Sequence, residues 1–276
     1  MRIDAHQHFW HYNNLEFGWI NDKMSVLKRD FLPDDLYKEL QTANFDGSIA
    51  VQARQNLIET EWLLNLANLN SFIQGVVGWL DLCSPDIEEQ LNLFTKYPKL
   101  VGVRHVVHDE PDDNFMMRRD FQNGISLMKK YNLTYDLLLF PKHLELAIEL
   151  VKILPNQKFV LDHMSKPQIK KQIHFPWNKN IYKLAQYPNV YCKLSGMVTE
   201  ADWDSWKYSD FTYYLNTVYE CFGEDRLMIG SDWPVCTLAG SYKQTMSIVI
   251  EFIKGLNKDV QDKILGENSI KFYLKK

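Results

Sequence analysis

His6 and His8 stand two residues apart in the opening run MRIDAHQHFW. On an extended strand, side chains at i and i+2 leave the same face, which sets these imidazoles side by side. Paired imidazoles can chelate one divalent ion, or they can act as hydrogen-bonding groups in a dry pocket. Taken alone, an H-x-H pattern arises often by chance, so further residues must decide. His163 follows the apolar run Phe159–Leu161 and Asp162, and Asp232 follows Leu227–Ile229 and precedes Trp233-Pro234. A carboxylate in that position can take a proton from water as general base, kept ionised by a metal or a neighbouring cation. The bland alternative is an aspartate that caps a helix or braces a loop. Convergence of His6, His8, His163 and Asp232 from separate strand ends favours a single polar reaction centre.

A second tier of residues lies in or just after apolar runs and suits an anionic or hydroxyl-rich ligand: Arg104, His105, Lys166, Lys193 and the pair Tyr135-Asp136. Alternation along a strand lets only one of Arg104 and His105 point inward, and the reading taken is His105. Trp10, Trp79, Trp203, Trp206 and Trp233 can wall a pocket, although tryptophans mostly build cores. His11, His108, His143 and His174 read as surface or loop histidines.

Strand-like runs at Arg2–His6, Gly47–Gln52, Gly75–Leu80, Val101–Val106, Tyr135–Phe140, Phe159–Asp162, Val190–Leu194 and Leu227–Gly230 must position these residues. Between them fall helical patterns at Pro33–Ala43, Glu59–Leu69, Pro85–Lys96, Arg118–Tyr131, His143–Leu154, Asn178–Ala185, Phe211–Phe222 and Tyr242–Leu256. Strict alternation implies parallel strands joined by helical crossovers. The first strand ends in AHQHFW instead of a glycine-rich phosphate turn, which argues against an open dinucleotide-binding sheet. The expectation is an α/β fold, a (β/α)₈ TIM barrel forming one domain over residues 1–276, with its site at the C-terminal strand ends. Two long inserts, Asn13–Leu32 and Met164–Trp177, are placed to cover that site. Glu267–Leu274 reads as a short helix packing Ile270, Phe272 and Tyr273 over a barrel face.

With 46% hydrophobic and 24% charged residues the chain has the balance of a globular protein with a full core. A net charge of -4 gives no reason to expect nucleic acid or an anionic membrane as partner, and points to a small molecule. Cys83, Cys192, Cys221 and Cys236 form no C-x-x-C pair and read as reduced thiols. With no secretory signal pattern and no apolar run long enough for a membrane span, cytoplasmic location is expected.

The segments DAHQHFW, LKRDFLPDDL, GVVGWLDL, GVRHVVHDEPD, LTYDLLLF, FVLDHMSKP, NVYCKLSGMVTEADW and RLMIGSDWPV run in order from residue 4 to residue 235. They resemble the lactonase branch of the amidohydrolase superfamily, proteins that hydrolyse sugar lactones such as L-fuconolactone and L-rhamnonolactone. The resemblance implies a distorted TIM barrel, with His6, His8, His163 and Asp232 in the positions that hold divalent ions and Asp232 as the proton-transferring aspartate. It departs from the two-metal pattern: His105 stands where a lysine would end strand four, and LLLF of strand five has no histidine. At most one ion is expected, zinc by the habit of the superfamily. Members of the branch also work without a metal, so zinc is not demanded.

Lactone hydrolysis then assigns Asp232 to deprotonate water and His163, with His6 and His8, to position that water or polarise the carbonyl. His105, Lys166, Lys193, Tyr135 and Trp233 would bind substrate. The alternatives are a metal-dependent decarboxylase of the same superfamily, a hydrolase of another lactone or an amide, and a ligand-binding barrel without catalysis.

Overall fold

The computed structural model describes residues 1–275. Eight strands, β1 Ile3–Gln7, β2 Gly47–Val51, β3 Ile73–Gly78, β4 Leu100–His105, β5 Thr134–Leu137, β6 Phe159–Leu161, β7 Val190–Leu194 and β8 Leu227–Ile229, pair in parallel and in chain order. Beyond the ends of β1 and β8 the circle is stitched shut: Asp232 N donates to His6 O at 2.8 Å and His8 N to Trp233 O at 2.7 Å. This is the expected (β/α)₈ barrel. The fifth strand is shorter than the expected Tyr135–Phe140, because Pro141 opens a 3₁₀ turn that draws the chain out of the sheet.

Among the described residues ten α-helices surround the strands: α1 Pro33–Ala43, α2 Leu57–Leu69, α3 Ile87–Phe94, α4 Arg119–Met128, α5 Leu144–Ile153, α6 Trp177–Ala185, α7 Met197–Glu200, α8 Tyr208–Phe222, α9 Tyr242–Ile253 and α10 Lys258–Asp262. Local chemistry sets their ends. Pro33 opens α1, where its missing N–H is not needed, and Asn44 closes it in the left-handed region at φ 58. Ser241 and Gln244 cap α9 reciprocally, each side chain accepting from the other's backbone N–H. No helix among the described residues is long and apolar enough to cross a membrane.

The main core lies between strands and helices, and a smaller one fills the lower barrel with Ile3, Ala5, Ile49, Val51, Val77 and Val160. Phe272 and Tyr273 complete that lower core from beneath. They come from a wide-turn helical segment, Ile270–Leu274, so the closing element reaches inside the barrel as well as covering it. Above this apolar plug the interior turns polar.

Candidate active site

At the upper strand ends three imidazoles surround one carboxylate oxygen. Asp232 Oδ1 lies 3.2 Å from His8 Nε2, 3.8 Å from His6 Nε2 and 3.8 Å from His163 Nε2, and His6 Nε2 and His8 Nε2 are 3.2 Å apart. All four residues are buried. His8 Nδ1 donates to Val51 O at 2.9 Å, which leaves a neutral His8 with a bare electron pair on Nε2 facing Asp232. His6 Nδ1 lies 3.3 Å from Asp162 Oδ1, and the donor-only Arg104 guanidinium places Nη1 3.3 Å from His6 Nε2. The equally donor-only Lys193 Nζ lies 3.2 Å from His6 Nδ1, so cationic donors stand at both ring nitrogens and oppose a charge on His6. His8 Nε2 and Asp232 Oδ1 therefore meet as two acceptors and call for a positive ion between them, either a shared proton or a metal.

The chemistry of this donor set fits one divalent ion. His6, His8 and Asp232 each offer an atom within 4.8 Å of the others, and His163 adds a further nitrogen beside the same oxygen. The far nitrogens of His8 and His163 are engaged on Val51 O and on Ser195 Oγ at 2.8 Å, as those of ligand histidines usually are, and that of His6 sits between Asp162 Oδ1 and Lys193 Nζ.

The backbone that presents His163 is unusual. His163, Met164, Ser165 and Lys166 all adopt left-handed conformations, φ 53, 52, 62 and 48, and Asp232 does so at φ 57. Such residues cost roughly 1–2 kcal/mol each when they are not glycine, so the surroundings must enforce them. Lys166 N donates to His163 O at 2.8 Å, the Trp177 indole donates to Met164 O at 2.7 Å, and Met164 is fully buried. Gly196, at φ 62, makes room: a Cβ there would stand 2.5 Å from His163 Nδ1. The turn throws His163 and Lys166 toward the same cavity.

Below the imidazoles lies a sealed ionic lattice. Lys193 Nζ sits 2.6 Å from Asp136 and 3.0 Å from Asp162, and Arg104 bonds Asp162 at 3.1 Å, Gln52 O at 2.5 Å and Gln52 Oε1 at 3.0 Å. The Tyr273 hydroxyl, arriving from below, donates to Asp136 at 2.7 Å. Burial pushes the Asp136 carboxyl up to about 6. Asp162 is as buried, but Lys193, His6 and Arg104 outweigh desolvation and hold its carboxyl well below the usual range. Burial likewise keeps His6 and His163 from protonating, with Lys193 adding to the effect at His6. Desolvation would raise Asp232, yet the facing His163 and His8 rings and Lys166 together bring it below the ordinary carboxylate value.

These contacts correct several expected binding residues. His105 does not face the site: it stacks on Phe115 with centroids 4.7 Å apart and its Nε2 lies 2.6 Å from Glu110. Arg104 is the inward residue of β4, in register with Asp136. Lys193 is consumed by the lattice, out of reach of a ligand. Tyr135 points outward between Phe121 and Phe159, and Trp233 packs edge-on to Phe31 and Phe9. Of His105, Lys166, Lys193, Tyr135 and Trp233, Lys166 alone lines the cavity, paired with Glu200 at 3.2 Å, and Arg104 and Trp10 line it as well.

The cavity above the imidazoles measures about 320 Å³. Asp232, His163, His8 and Arg104 form its floor. Trp19 and Met24, from the Asn13–Leu32 insert, close one side, and the insert is pinned by paired backbone bonds between Trp10 and Phe31. His108 and Asp109 line the cavity too, against the surface assignment expected for His108. The signal that could have found Arg104 was chemical: an arginine inside an apolar strand must meet buried carboxylates, and Asp136 and Asp162 were available.

A family model described as Amidohydrolase matches residues 3–275. An L-fucono-1,5-lactonase of Burkholderia multivorans is 39% identical over 90% of this chain and 87% of its own. The L-fucono-1,5-lactonase of Burkholderia ambifaria is 33% identical over 99% of this chain and 95% of its own. Among solved structures, an amidohydrolase from Burkholderia multivorans with bound zinc superposes with a TM-score of 0.94 at 37% identity, covering 99% of each chain.

Proposed function

Because this chain belongs to the amidohydrolase family, we infer that its barrel mouth hydrolyses a sugar lactone, of the L-aldono-1,5-lactone kind for which two relatives are named. The observation that carries this reading is the ring of three imidazole nitrogens around Asp232 Oδ1 at 3.2–3.8 Å, on the floor of a cavity large enough for one sugar ring.

Asp232 remains ionised while His6 and His163 resist protonation, and that is the state a general base requires. It accepts a proton from water as the water oxygen bonds to the carbonyl carbon. His163, held in place by Ser195 and the left-handed turn, orients that water. Lys166 and Arg104 put positive charge on the floor and wall, where the carbonyl oxygen becomes negative. The ring C–O bond then breaks, the proton held by Asp232 passes to the departing ring oxygen, and a hydroxy acid is released. Lys193 enters this account only by holding Asp162 and His6 in place.

His6, His8, His163 and Asp232 would hold one zinc ion, which when bound lowers the pKa of a water toward ~7. A pH-indicator assay over a panel of aldonolactones, run with and without chelator, tests the reading. L-Fucono-1,5-lactone is expected to release acid without gas. Carbon dioxide release, or no turnover of any lactone by zinc-loaded and chelated protein alike, overturns it.

A further inference from the structure

The reaction as derived leaves one side of the cavity unused. The 3₁₀ turn Val107–Asp109, which leaves β4, brings His108 and Asp109 to the cavity wall, and Val107 anchors the turn in the core. His108 Nδ1 lies 2.7 Å from Asp109 Oδ1, and its ring packs over Phe140 with centroids 4.5 Å apart. The ring is therefore held on one face and one edge. A carboxylate against Nδ1 fixes the proton there, so Nε2 of the neutral ring carries the electron pair. Nε2 has no protein partner among the described residues.

The neighbours make this acceptor distinctive. Lys166 and Arg104 only donate, Trp19 and Leu138 offer no lone pair to a hydroxyl, Met24 offers only a weak one, and Asp109 is the carboxylate that orients the ring. Asp232 and His163 are committed to the water. A ring bearing several hydroxyls brings O–H donors into this cavity and must leave one unpaired unless the wall accepts it. We propose that His108, oriented by Asp109, accepts a hydroxyl of the substrate and so makes the site selective for polyhydroxylated lactones over unsubstituted ones. The inference rests on lactone hydrolysis at the same site. Its energetic basis is that a buried polar group without its partner penalises a ligand lacking it more than a lost apolar contact does.

The test compares L-fucono-1,5-lactone with δ-hexalactone, the same methyl-bearing ring without hydroxyls. His108→Phe keeps a flat ring on Phe140 and removes the acceptor, whereas His108→Gln restores an acceptor oxygen. The ratio of kcat/KM for the hydroxylated over the bare lactone is expected to fall about tenfold in His108→Phe, chiefly through KM, and to recover in part in His108→Gln. An unchanged ratio in His108→Phe, or a glutamine variant no better than phenylalanine, overturns the proposal. If the wild-type protein turns over no lactone, the hydrolase reading fails by itself. Calorimetry with L-fuconate then decides the role of His108: weaker binding by the phenylalanine variant supports it, and equal binding overturns it.

Discussion

The barrel holds two clusters of the same residue types one above the other, and they do different work. In the mouth, Lys166 faces Glu200 with side chains 18% and 23% exposed, beside Asp232 and His163. In the interior, Lys193 faces Asp136 and Asp162 with all three side chains at 0%. A lysine that reaches water can exchange its carboxylate for a substrate oxygen at little cost, because exposed pairs are worth ~0–1 kcal/mol. A sealed lysine has no such freedom, and withdrawing it would strand two carboxylates. Composition does not separate the two cases; the distance from the rim does. His6 belongs to both clusters, with Nδ1 on the lattice and Nε2 in the mouth, and so carries the rigidity of one into the other.

That contrast can be broken first at its reactive end. Asp232→Asn keeps size and burial but removes the base, and kcat is expected to fall about 10³-fold with the circular dichroism spectrum unchanged, since a general base contributes roughly 10²–10⁴-fold. Near-normal turnover would move the proton transfer elsewhere. Next, Lys193→Met and Lys166→Met should fail in opposite ways. The interior change is expected to cost ~3–5 kcal/mol in urea unfolding. The mouth change should cost less than ~1 kcal/mol and instead raise KM. Equal stability losses would erase the distinction between the clusters.

A smaller effect follows from the imidazoles. Burial depresses the folded-state pKa of both His6 and His163, so as pH falls through ~6.5 the unfolded chain takes up protons that the folded site refuses. Stability present above that pH is then lost on acidification. Between pH 7.5 and 5.5 chelated protein should lose more urea midpoint than its His163→Asn variant, because the raised carboxyls of Asp4, Asp136 and Glu59 act in the opposite sense in both proteins alike. The smallest effect belongs to Tyr273→Phe, which deletes one hydrogen bond to Asp136 and is expected to cost about 1 kcal/mol with kcat nearly unchanged. A large loss of kcat there would mean that the lattice governs the mouth more tightly than this contact implies.

The barrel was legible in the sequence because β-rich runs and helical patterns alternate without exception, and the convergence of His6, His8, His163 and Asp232 was legible because each lies at or just past the end of one of those runs. The orientation of Arg104 against His105 was not. The β3–β4 pairing shifts register between Val76 and Val77, and simple alternation cannot foresee which residue then faces inward. Lys193 and Tyr135 were misplaced for a related reason, since a strand residue can face the interior below the ligand or face the helices. Trp233 sits next to the reactive aspartate in sequence yet points into the outer core. The left-handed turn at residues 163–166 contains no glycine or asparagine, so nothing in its composition announces it.

His8 and Asp232 touch across the seam that shuts the barrel although they lie 224 positions apart. During vectorial synthesis β1 therefore emerges with its imidazoles long before their carboxylate exists, and it must wait as an unpaired edge until β8 is translated. No shorter nascent chain can contain this cluster, which makes the proposed hydrolysis a direct reporter of completed closure. Opening the circle elsewhere, between a helix and the following strand, would join β1 to β8 early and should let the seam form before the rest of the barrel.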